Sequence, residues 1–224
     1  MRHNLLIGFK RLAQVSCSVC LLWGLGAAHA QANLAPSPRA VLEQTSQQMF
    51  AALDRERTQL KTHPEHIYDI VEKILVPHVD LDRASRWVLG RHWKDATPSQ
   101  RARFQQEFHA LLVRFYSAAL VEYVNGHDIP KNVIAFLPQR QTADGTDAVV
   151  RTEVRRQGRP SIPVSYDMHW TPDGWKVCNV TVDGVSIIEA YRSVFASHIR
   201  AHGLDGLITT MAAFNQRLLE TSTP

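Results

Sequence analysis

The chain has 224 residues, 45% hydrophobic and 21% charged, a composition that fits a folded globular protein and excludes a disordered one. Its 25 Lys and Arg against 21 Asp and Glu give a net charge of +4, but Arg2, Lys10 and Arg11 fall in the first thirty residues, which carry no acid. The rest of the chain is close to neutral and argues against nucleic acid as a partner, because phosphate binding needs concentrated positive charge.

In chain order, the basic start leads into an apolar run, Val15 to Gly26, that ends in Ala28-His29-Ala30. This pattern predicts a secretory signal over residues 1–30, cut after Ala30; the run is too short for a membrane-spanning helix. Cys17 and Cys20 would leave with it, and Cys178 alone cannot form an intramolecular disulfide. A tail, residues 31–37, then precedes one domain, residues 38–220. Ser37 with Pro38 at the first helical position opens a helix carrying Val41, Leu42, Met49 and Leu53, expected to run to about Lys61. A second begins near Pro64, with Ile67, Ile70, Val71, Ile74 and Leu75 on one stripe, and stops before Pro77. Asp80 opens a third, which Gly90 closes.

Thr97-Pro98-Ser99-Gln100 is a capping box with proline at N1. It starts a helix with Phe104, Phe108, Leu111, Leu112, Phe115, Ala119 and Tyr123 on one side, ending at Asn125-Gly126 after about 40 Å. The hydrophobic period then changes from 3.6 to 2. Strands are expected over Val133 to Leu137, Ala148 to Arg155, Ile162 to Trp170 and Trp175 to Val182, joined by Gly- and Pro-containing turns. In the last strand Trp175 and Val177 share one phase while Val180 and Val182 take the other, which predicts a bulge near Cys178. Helix returns with Ile187, Ile188, Tyr191, Val194, Phe195 and Ile199, closes at Gly203, and gives way to a last helix with Leu207, Ile208, Met211, Phe214 and Leu218. The order helices, meander sheet, helices gives an α+β class: a small antiparallel sheet half-wrapped by helices.

The sequence has no Gly-x-Ser-x-Gly elbow, no His-Glu-x-x-His and no phosphate-binding glycine loop, so no catalytic residue, metal ligand or cofactor site is assigned. Cys178, in the middle of an apolar strand, reads as a structural thiol, and His198 and His202 read as surface histidines near a helix end. Arg83, Arg86, Arg91, Lys94, Arg101 and Arg103, and the turn with Arg155, Arg156 and Arg159, read as solvated faces or as contact surface for anionic headgroups or an acidic partner. The inward surplus of apolar and aromatic side chains reads either as solid core or as the wall of an apolar cavity, and periodicity leaves both readings open.

A series of short runs decides between them by likeness. Ile74-Leu75-Val76-Pro77-His78-Val79-Asp80, Ser85-Arg86-Trp87-Val88-Leu89-Gly90 through Trp93, and Thr97-Pro98 are joined by Trp175-Lys176-Val177, Asp183-Gly184-Val185-Ser186-Ile187-Ile188, Tyr191-Arg192-Ser193 and Gly203-Leu204-Asp205-Gly206-Leu207. Together they resemble the MlaC family of periplasmic phospholipid-binding proteins, also called the toluene-tolerance family, over nearly all of residues 40–215. The resemblance implies a non-enzymatic, monomeric phospholipid carrier of the periplasm. It would shuttle lipid between an outer-membrane lipoprotein complex and an inner-membrane ABC transporter with an MCE-type subunit, maintaining outer-membrane lipid asymmetry. A related cargo such as a hopanoid, or a non-lipid adaptor role, are the alternatives. The expected cavity places acyl tails against Leu75, Val79, Leu89, Phe108, Leu112, Phe115, Tyr116, Val164, Tyr166, Met168, Val180, Val182, Ile187, Ile188 and Phe195. One departure stands out: the family commonly has Tyr-Asp after the strand's Trp-x-Val, where this chain has Cys178-Asn179.

Overall fold

A computed structural model describes residues 35–126, 133–138, 145–156 and 158–222, so the expected signal over residues 1–30 and the start of the tail lie outside the described residues. Helix α1, Pro38–Arg55, begins where Ser37 Oγ accepts a hydrogen bond from the Ala40 N–H at 3.1 Å. It does not continue to Lys61 as expected. The helix breaks at Glu56 (φ −100°, ψ 10°) and restarts as α2, Arg57–Thr62. The break turns α2 so that Leu60 packs with Leu53, Ile67 and Val71, and neither glycine nor proline marks it in the sequence.

Helix α3, His66–Ile74, gives way at Pro77 to a 3₁₀ turn, Val76–His78. The chain then hooks onto the sheet: Val79 forms a parallel bridge with Val177, and the Asp80 N–H donates to the Val177 carbonyl at 2.8 Å. Asp80 also caps α4, Leu81–Leu89, accepting from the Arg83 N–H at 3.0 Å. Gly90 ends α4 at φ 54°, ψ −122°, where a Cβ would also meet the Arg192 guanidinium at 2.7 Å. A five-residue helix, α5 (Arg91–Asp95), comes next; it is too short to carry a period and was not expected. Helix α6, Pro98–Gly126, starts with the reciprocal capping box, Gln100 N–H to Thr97 Oγ1 at 3.2 Å and Thr97 N–H to Gln100 Oε1 at 3.0 Å.

The sheet is an antiparallel meander in the order β1-β2-β3-β4-β5: Ile134–Phe136, Asp147–Arg156, Arg159–Thr171, Gly174–Val182 and Val185–Ser186. The two-residue β5 lay below what an alternating pattern can show. The bulge falls at Cys178, because Asp167 pairs with Asn179 while the next residue, Met168, pairs with Val177. Helix α7, Ile187–Ser222, is broken at Gly203 (φ 71°, ψ 174°), where the sequence predicts one helix to close and another to begin. The class is therefore α+β, with five strands and seven helices among the described residues.

Three buried clusters hold these elements together. Phe104 and Phe108 of α6, both fully buried, stack at 5.6 Å between ring centroids and meet Phe195 of α7 edge-on, with Val88 and Leu89 of α4 alongside. Leu53, Leu60, Ile67 and Val71 join α1, α2 and α3 to Val113 of α6. Val41 and Leu42 of α1 cover Val150 and Met168 on the sheet.

Candidate functional site

Between these clusters the interior is hollow. The cavity holds about 450 Å³ and is bounded by the inner face of the sheet, by α6 and by the segment from α3 to α4. Val154, Ile162, Val164 and Tyr166 of β2 and β3, with Val177, Val180 and Val182 of β4, form the sheet wall. Leu112, Phe115, Tyr116 and Leu120 of α6 face them, Leu75, Val76, Val79 and Leu81 close one side, and Ile187, Ile188 and Tyr191 close another. Phe115 is 61% exposed although it lines the cavity, which places it at the opening.

The bulge shapes this wall. Val177 and Val180 are an odd number of residues apart, so a regular strand would send them to opposite faces. The extra residue, Cys178, restores the phase, and both valines reach the cavity. The thiol itself is inert. Cys178 Sγ donates to the Asp167 carbonyl at 3.2 Å, and burial pushes its pKa up to about 12. In a chain starting at Gln31, this single thiol is expected to react with an aromatic disulfide reagent at pH 8 far more slowly native than denatured. Equal rates in the two states would contradict its burial.

Asn179, the other departure from the family pattern, acts as a cross-brace. Its Nδ2 donates to Asp167 Oδ2 at 2.7 Å, and its Oδ1 accepts from Ser186 Oγ at 3.1 Å and from the Ile188 N–H at 3.4 Å. One amide thus ties β3, β4 and β5 to the start of α7, beside the cavity wall. The other polar groups along the lining are few. His109 Nε2 lies 3.2 Å from Glu72 Oε1, and the hydroxyls of Tyr116, Tyr166 and Tyr191 are raised in pKa by desolvation. Tyr166 is pushed up further by its neighbour Tyr116.

Of the fifteen residues assigned from the sequence, eleven line the cavity: Leu75, Val79, Leu112, Phe115, Tyr116, Val164, Tyr166, Val180, Val182, Ile187 and Ile188. Leu89, Phe108, Phe195 and Met168 do not. Leu89, Phe108 and Phe195 fill the solid cluster among α4, α6 and α7, and Met168 shares the face of Tyr166 but lies where α1 covers the sheet. The residues missed include Val154, Ile162 and Val177 on the strands and Phe50 on α1. Val154 and Ile162 were readable, since they are in phase with Val164 and Tyr166 across the β2–β3 pair. The arginines flagged as a contact surface are partly absorbed within the chain: Arg83 binds Asp147, Arg86 binds Asp82, Arg103 binds Asp205, and Arg101 lies over the Trp93 ring.

Residues 43–213 match the sequence profile of the MlaC protein family. The toluene tolerance protein ttg2D of Pseudomonas putida is 33% identical over 172 residues, covering 76% of this chain and 77% of its own. The intermembrane phospholipid transport system binding protein MlaC of Haemophilus influenzae is 26% identical over 179 residues, 78% of this chain and 80% of its own. Among solved structures, a phospholipid-binding protein from Ralstonia solanacearum, in complex with a phospholipid, superposes with a TM-score of 0.72 at 28% identity. That likeness covers 82% of this chain and 99% of the other.

Proposed function

The chain belongs to the MlaC family, and from that premise we propose that it is a periplasmic phospholipid carrier, exported by residues 1–30 and holding acyl tails in the cavity between the sheet and α6. The observation that carries this reading is the wall itself: a space of about 450 Å³ lined almost wholly by aliphatic and aromatic side chains and open beside Phe115. Support comes also from the phospholipid in the Ralstonia solanacearum structure and from the transport-system name of the Haemophilus influenzae relative.

The physics of the cargo explains why no reactive group is needed. Withdrawing an acyl tail of about 16 methylenes from water is worth on the order of 13 kcal/mol at ~0.8 kcal/mol each, so a two-tailed lipid almost never crosses water alone. A carrier must offer hydrocarbon surroundings equal to those of a bilayer. Tail burial then nearly cancels between membrane and cavity, and direction is set by the partners: an outer-membrane lipoprotein complex at one end and an inner-membrane MCE-type ABC transporter at the other. Protein purified from a bacterial periplasm is expected to release phospholipid on solvent extraction and to show a lipid-bound mass under native conditions. A chain that carries no lipid and takes none from vesicles would overturn the reading.

A further inference from the structure

The cavity is apolar, yet it contains tyrosine hydroxyls, and they are not equivalent. A threonine hydroxyl has one proton, and that of Thr152 is donated to the Val164 carbonyl at 3.2 Å. Tyr166 stands beside this threonine on the sheet wall, and its ring is less exposed than that of Tyr116. The Tyr116 hydroxyl has no hydrogen-bond partner among the described residues, and its ring lines the cavity while remaining 38% exposed. A lipid that fills the cavity shuts this donor off from water, and an acceptor on the lipid removes the penalty of leaving it unpaired.

Position along the cavity tells which acceptor. Tyr116 adjoins Phe115, the 61% exposed residue at the opening. Tyr191 belongs to a ring wedged against Phe108 and Phe195 at the solid end. An amphiphile entering tails first has its own order of chemistry, with hydrocarbon deepest, then the two acyl ester carbonyls, then the headgroup outside. The group level with a donor just inside the opening is an ester carbonyl.

Resting on the carrier reading above, the geometry points to Tyr116 as a specificity residue whose hydroxyl donates a hydrogen bond to an acyl ester carbonyl of the bound lipid, so that the cavity prefers ester-linked to ether-linked tails. Ether-linked lipids with the same headgroup and chain length have no carbonyl at that level and leave the donor unpaired.

The test is a competition. The chain from Gln31, stripped of lipid, is incubated with vesicles containing equal amounts of diacyl ester and dialkyl ether phosphatidylglycerol, then separated, and its bound lipids are counted by mass spectrometry. The unaltered protein is expected to enrich the ester form about fivefold, the ratio that corresponds to one net hydrogen bond. Tyr116→Phe is expected to bring the ratio to about one or below while still binding lipid, and Tyr191→Phe to leave it unchanged. Equal uptake of both lipids by the unaltered protein overturns the assignment without any variant needing to fold. Loss of preference in Tyr191→Phe rather than Tyr116→Phe overturns it too. Uptake of neither lipid overturns the carrier reading itself, a result distinct from uptake without preference.

Discussion

Leu112→Asp is expected to reduce bound lipid by more than about tenfold at neutral pH while leaving the helical content intact. Leu112 lies in α6, facing the sheet wall across the cavity, where no basic group is among the lining residues apart from His109. A carboxylate there must either stay charged beside hydrocarbon or take up a proton, and both outcomes cost free energy. The pH dependence has a definite sign. In the lipid-bound state the introduced carboxyl has its pKa raised, so the penalty is present above that raised pKa and is relieved as pH falls below it. Lipid retention by the variant should therefore recover on acidification, whereas Leu112→Asn shows no such recovery. Tyr166→Arg tests the opposite wall: it is expected to weaken retention similarly, with no acid recovery, because guanidinium keeps its proton. Retention unchanged in a folded Leu112→Asp would mean that the tails lie elsewhere.

Phe108 and Leu112 show where sequence reading stops. They are one helical turn apart on the same stripe of α6, equally apolar and equally in phase, yet Phe108 is fully buried among aromatic rings while Leu112 borders empty space. What differs is the partner opposite: α7 covers Phe104 and Phe108 and does not fill the space beyond. That is set by how the helix after β5 crosses α6, and no local pattern encodes it. The sheet repeats the point with Tyr166 and Met168, two residues apart on one face: Met168 is buried in the cluster under α1, and Tyr166, packed against the edge of that cluster, also lines the cavity. The bulge at Cys178, in contrast, was legible because the phase of the valines reverses around it. The break at Glu56 had no such mark, and α5 and β5 were too short for any pattern to reveal.

The solid end of the molecule can be separated from the hollow end by stability. Phe108→Ala is expected to lower the unfolding free energy by about 3–5 kcal/mol, the cost of truncating a fully packed aromatic ring. The ring touches Phe104, Tyr191 and Phe195 at centroid distances of 5.6, 5.8 and 6.2 Å, all of which would border the void. Phe115→Ala, about two turns further along the same helix, removes a ring that is 61% exposed, and is expected to cost less than about 1 kcal/mol. Both must be measured by urea denaturation on delipidated protein, because a ligand that binds the folded state alone adds its own stabilisation and would mask the difference. If the two variants lost equal stability, the division of α6 into a packed half and a cavity-facing half would be wrong. If only Phe108→Ala is costly while lipid uptake per folded molecule is kept, the energy that holds the fold and the surface that holds the cargo occupy successive stretches of one helix.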